Sequence, residues 1–391
     1  MFQKITLLSF FFILNLTAVA QYIPLSPNAE VSILTIGPGD NLYDKFGHSA
    51  FYIQDPERGI EAIYNYGVYD FDTPNFYTKF AQGKLLYKLE GVQAQPFIEN
   101  YKNQNRWIKQ QTLNLSYTEK QAVFTFLNNN LKEENKYYKY DFFYDNCATK
   151  IRDVMVSVLG KELIYTDDFI AENKTFRNLI QQNVHWNTWG SLGMDVAIGA
   201  VTDMKANSWQ YQFLPDYVFK AASTATIENG ESIPLVKNTR TLFESSRTAT
   251  TTNFLTSPLF VFLLLSIVII AITIRDLKRN KRSRALDVSI FVSTGVIGVF
   301  LCLLWFATDH SATVNNYNLL WAFPFSLFIA YGIGKKQPKV WVRRYVLFLV
   351  LLLVLLTMHW FTGVQEFAYG FIPLFVALAV RYFYLLKFLK Q

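Results

Sequence analysis

From about residue 257 onward the apolar side chains come in runs long enough to cross a bilayer, and no other feature limits the possible folds so tightly. Five such runs occur, at about 258–274, 287–307, 317–334, 344–361 and 366–386, each near the roughly 17–25 residues that a spanning helix needs. Hydrocarbon offers the backbone no hydrogen-bond partner, so a spanning segment must be a helix or part of a closed barrel. Continuous apolar runs, unlike short alternating ones, exclude the barrel. The expectation is an all-α bundle of five transmembrane helices.

The charges orient that bundle. Arg275, Lys278, Arg279, Lys281, Arg282 and Arg284 lie between the first and second runs, and Lys335, Lys336, Lys339, Arg343 and Arg344 between the third and fourth. The 308–316 and 362–365 loops carry neither Lys nor Arg. Basic loops stay in the cytoplasm, which puts the other two loops outside, the tail with Lys387 and Lys390 inside, and everything before the first run outside. At the start, Lys4, an apolar core from Ile5 to Leu16 and Ala18-Val19-Ala20 before Gln21 read as a signal peptide over 1–20. The expected organisation is then an exported, periplasmic domain over 21–238, a Ser/Thr-rich linker over 239–256, and a membrane domain over 257–391 in the inner (plasma) membrane. The net charge of +7 sits largely in the two cytoplasmic loops, where it suits anionic lipid, so no nucleic-acid partner is implied.

Within the exported part, alternation predicts strands at Val31 to Thr35, from His48, at Ile60 to Gly67 and at Leu85 to Gly91, with another at Gln110 to Leu115. Helices are expected at about 94–105 and 118–134, the second opening on a capping-box pattern at Thr118-Glu119-Lys120-Gln121. Separated strands and helices of this kind make an α+β domain.

Two polar motifs in that domain carry chemistry. Phe46-Gly47-His48-Ser49 precedes a strand, and Asp145-Asn146-Cys147-Ala148-Thr149 opens a helix: Asn146 is a good N-cap, Ile151, Val154, Met155, Val158 and Leu159 recur at helical spacing, and Gly160 stops it. A thiol in a helix's first turn feels the positive end of the helix dipole, which favours the nucleophilic thiolate. Only two cysteines are present; Cys302 falls in the second run, so Cys147 is an unpaired thiol in an exported domain. The competing reading makes Cys147 a buried packing residue and His48 a satisfied strand histidine. A Cys/His pair also needs a group to orient the imidazole. Asn65 is the candidate, against a plain strand-end role, with Tyr66 behind it. The Cys147 backbone N–H and Asn146 stand near where an oxyanion would form. Neither metal-ligand spacing nor a phosphate or dinucleotide fingerprint occurs, so no metal and no cofactor is expected.

In the outer loops, Asp309 and His310 lie where a lipid headgroup would sit, though interfacial loops are ordinarily polar. Asn315, Asn316 and Asn318 are unfavourable at a span entrance unless bonded there, which makes Asn315 and Asn316 further candidates for substrate binding. His185, between Trp186 and Trp189, belongs either to an aromatic surface on the membrane or to packing.

The order of histidine first and helix-start cysteine later resembles the permuted papain-like arrangement of the NlpC/P60 and lecithin:retinol acyltransferase superfamily. More closely, Phe46-Gly47-His48-Ser49, Tyr64-Asn65-Tyr66-Gly67, the stretch from Tyr140 to Asp153, Leu214-Pro215-Asp216-Tyr217, Asp309-His310 and Asn315 to Trp321 resemble the Lnb family, the lipoprotein N-acyltransferases of Bacteroides-type bacteria. Lys150 stands where that family commonly has Arg. The resemblance implies an acyltransferase in which Cys147 takes an acyl group from a phospholipid as a thioester. A diacylated lipoprotein would receive that group on the amine of its N-terminal diacylglyceryl-cysteine, with His48 as base and acid. The same Cys/His chemistry would also serve a membrane-tethered cysteine peptidase or amidase, or a phospholipase, and a non-enzymatic envelope scaffold would use the pair only structurally.

Overall fold

Seven strands form one antiparallel sheet whose side chains alternate between two buried faces. They are β1 (Glu30–Ile36), β2 (His48–Asp55), β3 (Ile60–Val68), β4 (Leu86–Gln93), β5 (Ile108–Leu113), β6 (Tyr137–Lys139) and, after a small separate sheet of β7 (Leu163–Ile164), β8 (Thr226–Asn229) and β9 (Glu231–Pro234), β10 (Val236–Phe243). The order across the large sheet is β10-β5-β1-β2-β3-β4-β6. The computed structural model describes residues 24–247 and 253–390, so the expected signal peptide over 1–20 lies outside the described residues, as does the middle of the expected linker. The first part of that linker is sheet: Thr239, Arg240 and Thr241 pair with Gln111, Gln110 and Lys109 of β5.

The helices of the exported domain are α1 (Phe76–Ala81), α2 (Ala94–Asn103), α3 (Tyr117–Asn130), α4 (Cys147–Leu159), α5 (Phe176–Gln181), α6 (Trp189–Ala197), α7 (Ser208–Tyr211) and α8 (Pro215–Thr224). Both faces of the sheet are covered. On one, Val31, Ile33, Phe51, Ile53 and Tyr64 pack on Val123 and Leu127 of α3, Ile151 and Met155 of α4, and Val218 of α8. On the other, Leu34, Ala50, Tyr52 and Ile63 meet Ala94 and Ile98 of α2. Each fully buried aliphatic chain in these layers is worth about 1.5–3 kcal/mol of transfer free energy. The cap of α3 is Ser116 rather than Thr118: its hydroxyl accepts from Glu119 N–H at 3.3 Å while Glu119 accepts from Ser116 N–H at 2.6 Å.

The membrane part has α9 (Pro258–Arg279), α10 (Arg284–Phe306), α11 (Ser326–Gly334), α12 (Val340–Phe361) and α13 (Ile372–Phe388). Among the described residues, four helical stretches are long and apolar enough to cross a bilayer: α9, α10, α12 and Tyr369–Phe388. The run at 317–334 departs from expectation. It opens as a 3-10 turn at Tyr317–Leu320 and resumes as a helix only at α11. Pro324 supplies no N–H to continue a helix through the gap. The irregular backbone packs on the glycine face of α10: a Cβ on Gly298 would lie 2.1 Å from the Ala322 carbonyl oxygen, and one on Gly295 would lie 2.2 Å from Leu327 N. Non-helical backbone at this depth is tolerated when protein covers it.

The two ends of this broken segment are held at opposite ends of the bundle. Asn316 and Asn318 bond α6 of the exported domain. At the other end, Arg282 donates to the carbonyls of Ile333 and Lys335.

Candidate active site

Residue 147 is the first residue of α4, and the helix starts there for a local reason. The Asn146 carboxamide oxygen accepts from Ala148 N–H at 2.8 Å and Thr149 N–H at 3.0 Å, while Thr149 Oγ1 accepts from Asn146 N–H at 2.8 Å. The Asn146 amide nitrogen donates to the carbonyls of Phe142 and Phe213, at 2.7 and 2.9 Å. Asn146 is therefore spent on fixing the helix start, which removes its side chain as an oxyanion donor. Its cap leaves the Cys147 N–H for that purpose.

The thiol must meet a histidine from the other side of the sheet. His48 sits on the α2 face, its ring stacked on Tyr101 at 6.2 Å and near Phe97 at 6.4 Å, whereas α4 packs on the opposite face. Contact is made around the end of β2 and across a gap in β3. There the β3–β4 register shifts between Asn65 and Val68, and Gly67 takes a φ of +93°. A Cβ on Gly67 would lie 3.4 Å from the Cys147 Cβ. A side chain at 67 would be strained at that φ, with its Cβ already in contact with α4, so glycine serves this position.

The imidazole links two groups. Its Nε2 lies 2.6 Å from Asn65 Oδ1, and it shares one cavity with the Cys147 thiol, close enough for each group to shift the other. Burial by itself would push the thiol up. The His48 charge, the His48 hydrogen bond and the N–H groups of Ser49 and Ala148 outweigh it and hold the thiol below its ordinary value. For His48 burial would push down, but the Cys147 charge and the hydrogen bonds to Cys147 and Asn65 prevail, and the imidazole is raised. Both shifts favour a thiolate–imidazolium pair.

The other expected residues separate. Tyr66 points into the core, where its hydroxyl accepts from Asn130 at 2.8 Å, since neighbours on a strand face opposite ways; it does not orient His48. Of Asn315 and Asn316, both expected near a substrate, Asn316 is committed to the fold, whereas the Asn315 side chain is exposed. Asn316 is fully buried and donates to the Val196 and Ala197 carbonyls at 2.8 and 3.0 Å, satisfying the C-terminal end of α6. Asn315 takes a left-handed φ of 56° and its carbonyl accepts from Ala200 N–H. Asp309 pairs with Lys139 at 2.7 Å and His310 Nε2 lies 3.2 Å from the Ala81 carbonyl oxygen. These two line a cavity next to the site. His185 and Trp186 line a larger cavity of about 860 Å³ beside α9 and α13, which brings no second reactive group to the histidine.

Several residues at the site had no sequence signal. Around Cys147 is a cavity of about 290 Å³ bounded also by Asp44, Tyr69, Tyr101, Arg106 and Tyr140. Arg106 donates to the Gly37 carbonyl at 2.8 Å, pairs with Asp44 at 3.3 Å and lies over Tyr101, bracing the ring that backs His48. Tyr138 and Tyr140 are pushed well above their ordinary range by burial and by the Cys147 charge, so both remain protonated donors near the thiol. These groups converge only through strand register. Among the described residues, no three His, Cys, Asp or Glu side chains converge to hold a metal ion.

Two family models match the chain. One, described as the Lnb N-terminal periplasmic domain, matches residues 24–182, and the other, described as the Lnb transmembrane domain, matches residues 249–391. No curated protein and no solved structure matches.

Proposed function

Because the chain belongs to the Lnb family and is a membrane protein with a periplasmic domain, we propose that it is a lipoprotein N-acyltransferase whose nucleophile is Cys147. The observation that carries this reading is the convergence of Cys147, His48 and Asn65 on one cavity at a helix start, with Asn65 bonding the imidazole. A helix-start thiol, a strand histidine and a neighbouring-strand asparagine also support a permuted papain-like relationship. The basic loops at 275–284 and 335–344 meet at one end of the bundle, while the 308–316 loop and Glu366 bond the exported domain. That disposition supports an inner-membrane protein with a cytoplasmic C-terminus.

In the first half-reaction the Cys147 thiolate attacks the ester carbonyl carbon of a phospholipid. A C–S bond forms, the C–O bond to glycerol breaks, and the His48 imidazolium gives its proton to the leaving alkoxide. The Cys147 N–H faces the developing oxyanion. In the second half-reaction the α-amine of a lipoprotein's diacylglyceryl-cysteine attacks the thioester; the C–N bond forms, the C–S bond breaks, and His48 takes the amine proton. Asn65 holds the imidazole in position throughout.

The test is mass spectrometry of a reporter lipoprotein's N-terminal peptide from cells that lack their own N-acyltransferase and express this protein or Cys147→Ala. A third acyl chain that requires the thiol is the expected result. A peptide still diacylated beside well-inserted protein would overturn the assignment in favour of a lipase or peptidase. Triacylation by both forms would remove Cys147 as nucleophile.

A further inference from the structure

The cavity at Cys147 adjoins a second one, of about 280 Å³, and the two share Tyr43, Phe46, Tyr87, Tyr140 and Phe142. Building on the acyl-transfer reading, we propose that this second cavity is the subsite for the donor's acyl chain, which enters it directly from the periplasmic leaflet. The Cys147 end carries Asp44, His48, Asn65 and Arg106, whereas the shared wall is aromatic, with Tyr87 and Tyr140 stacked at 4.2 Å; beyond it Phe80, Leu85 and Ala312 lie among Asp141, Asp309, His310 and Ser311.

Polar side chains at the far end are already engaged with one another. Asp141 accepts from Phe143 N–H, Tyr144 N–H and Ser311 Oγ, Asp309 is paired with Lys139, and His310 bonds the Ala81 carbonyl. What they leave to the cavity is apolar surface, which suits a hydrocarbon chain and offers little to a peptide backbone.

The location supplies the occupant. Residues 309–312 follow directly on α10, a span that ends at Phe306, so the far end of the cavity lies at the bilayer surface. Beside it α1 and its flanks expose Phe71, Tyr77 and Phe80 at 65, 80 and 54%, with Lys84 next to them. Large aromatic rings with a nearby lysine are the chemistry of a segment that rests in the headgroup region. Gln82 and Gly83 fasten this segment to the 309–310 backbone: Asp309 N–H donates to the Gln82 carbonyl at 2.9 Å, and a Cβ on Gly83 would lie 3.1 Å from the His310 ring. A chain leaving the leaflet here passes from hydrocarbon to an aromatic cavity to the thiol, without crossing water.

The experiment uses the full-length protein in bilayers that contain phosphatidylethanolamine with either octanoyl or palmitoyl chains, and reads the Cys147 acyl-enzyme by intact-protein mass spectrometry. Ala312→Phe fills the far end; Ala312→Leu is the milder variant, used if the first fails to insert. The ratio of palmitoyl to octanoyl loading is expected to fall about tenfold or more in the filled variant relative to the wild type. An unchanged ratio in a variant that still loads either chain would overturn the subsite. Absence of any acyl-enzyme in the wild type is a different outcome: the reaction reading falls, and the subsite with it.

Discussion

At the scale of single residues, the reactivity proposed for Cys147 depends on a balance between burial, which disfavours charge on both Cys147 and His48, and their mutual attraction, which favours it. The shifts define the pH behaviour. With the thiol held below its ordinary value, the thiolate persists below the free-cysteine range near 8.5 and is lost only as pH falls through the lower titration of the pair. With the imidazole raised, its proton remains available to a leaving group above pH 6.5 and is lost on the alkaline side. Iodoacetamide labelling of Cys147 against pH is therefore expected to have its half-point below that of a free thiol. His48→Ala should move it upward and slow labelling at neutral pH by about tenfold or more, with a smaller move in the same direction for Asn65→Ala; an unmoved half-point in His48→Ala would refute the ion pair. The placement of Cys147 at a helix start and of His48 and Asn65 on strands was legible in the sequence, because an N-cap, a helical period and an alternating strand each betray a local environment. Tyr101 and Arg106 were not: Tyr101 stacks on a histidine over fifty residues away in the chain and Arg106 lies over Tyr101, contacts that no local pattern encodes.

At the scale of elements, hydropathy locates apolar runs but does not see how their backbones are satisfied. The strands around His48 and the helix at Cys147 lie close to where alternation and capping put them. The run at 317–334 does not form one helix, because Asn316 and Asn318 are committed to α6 and Pro324 interrupts the ladder. Asparagines at a span entrance were a signal of bonding, and the partner proved to be protein. The glycine pair of α10 follows from the same break, since the broken segment must approach that helix by its backbone. Gly298→Val, which would place its Cβ against the Ala322 carbonyl and Pro324, is expected to separate α10 from this segment. Detergent-extracted protein should then lose its monodisperse peak in size-exclusion chromatography, while the same change at Gly193, where nothing lies within 4 Å, should not affect it.

At the scale of the whole molecule, two buried ionic clusters hold the parts in register. In the bundle, Arg381 of α13 bonds Asp276 of α9 at 2.9 Å and Asp287 of α10 at 2.8 Å, and Arg282 adds a second cation on Asp287 at 3.1 Å. Arg381→Leu leaves buried carboxylates short of a partner. A loss of about 3–5 kcal/mol is expected, measured as a lower thermal midpoint in detergent; no shift would mean that Arg282 alone compensates both. In the exported domain Arg177 bonds Asp195 and Asp203 at 2.9 and 2.8 Å, and Asp203 also accepts from the backbone of Glu366 in the membrane part. Lys139–Asp309, Asp141–Ser311 and Asn316–Val196 add further bonds across the same boundary. A domain fastened to its own membrane anchor in this way keeps the thiol at a set height above the bilayer, and the molecule acts as a ruler. In the proposed reaction the attacking amine belongs to the residue that lipid moors, so the fixed domain limits what stands behind that residue: an acceptor folded right up to its lipidated cysteine would collide with the domain, and one that begins with a slack tether would clear it.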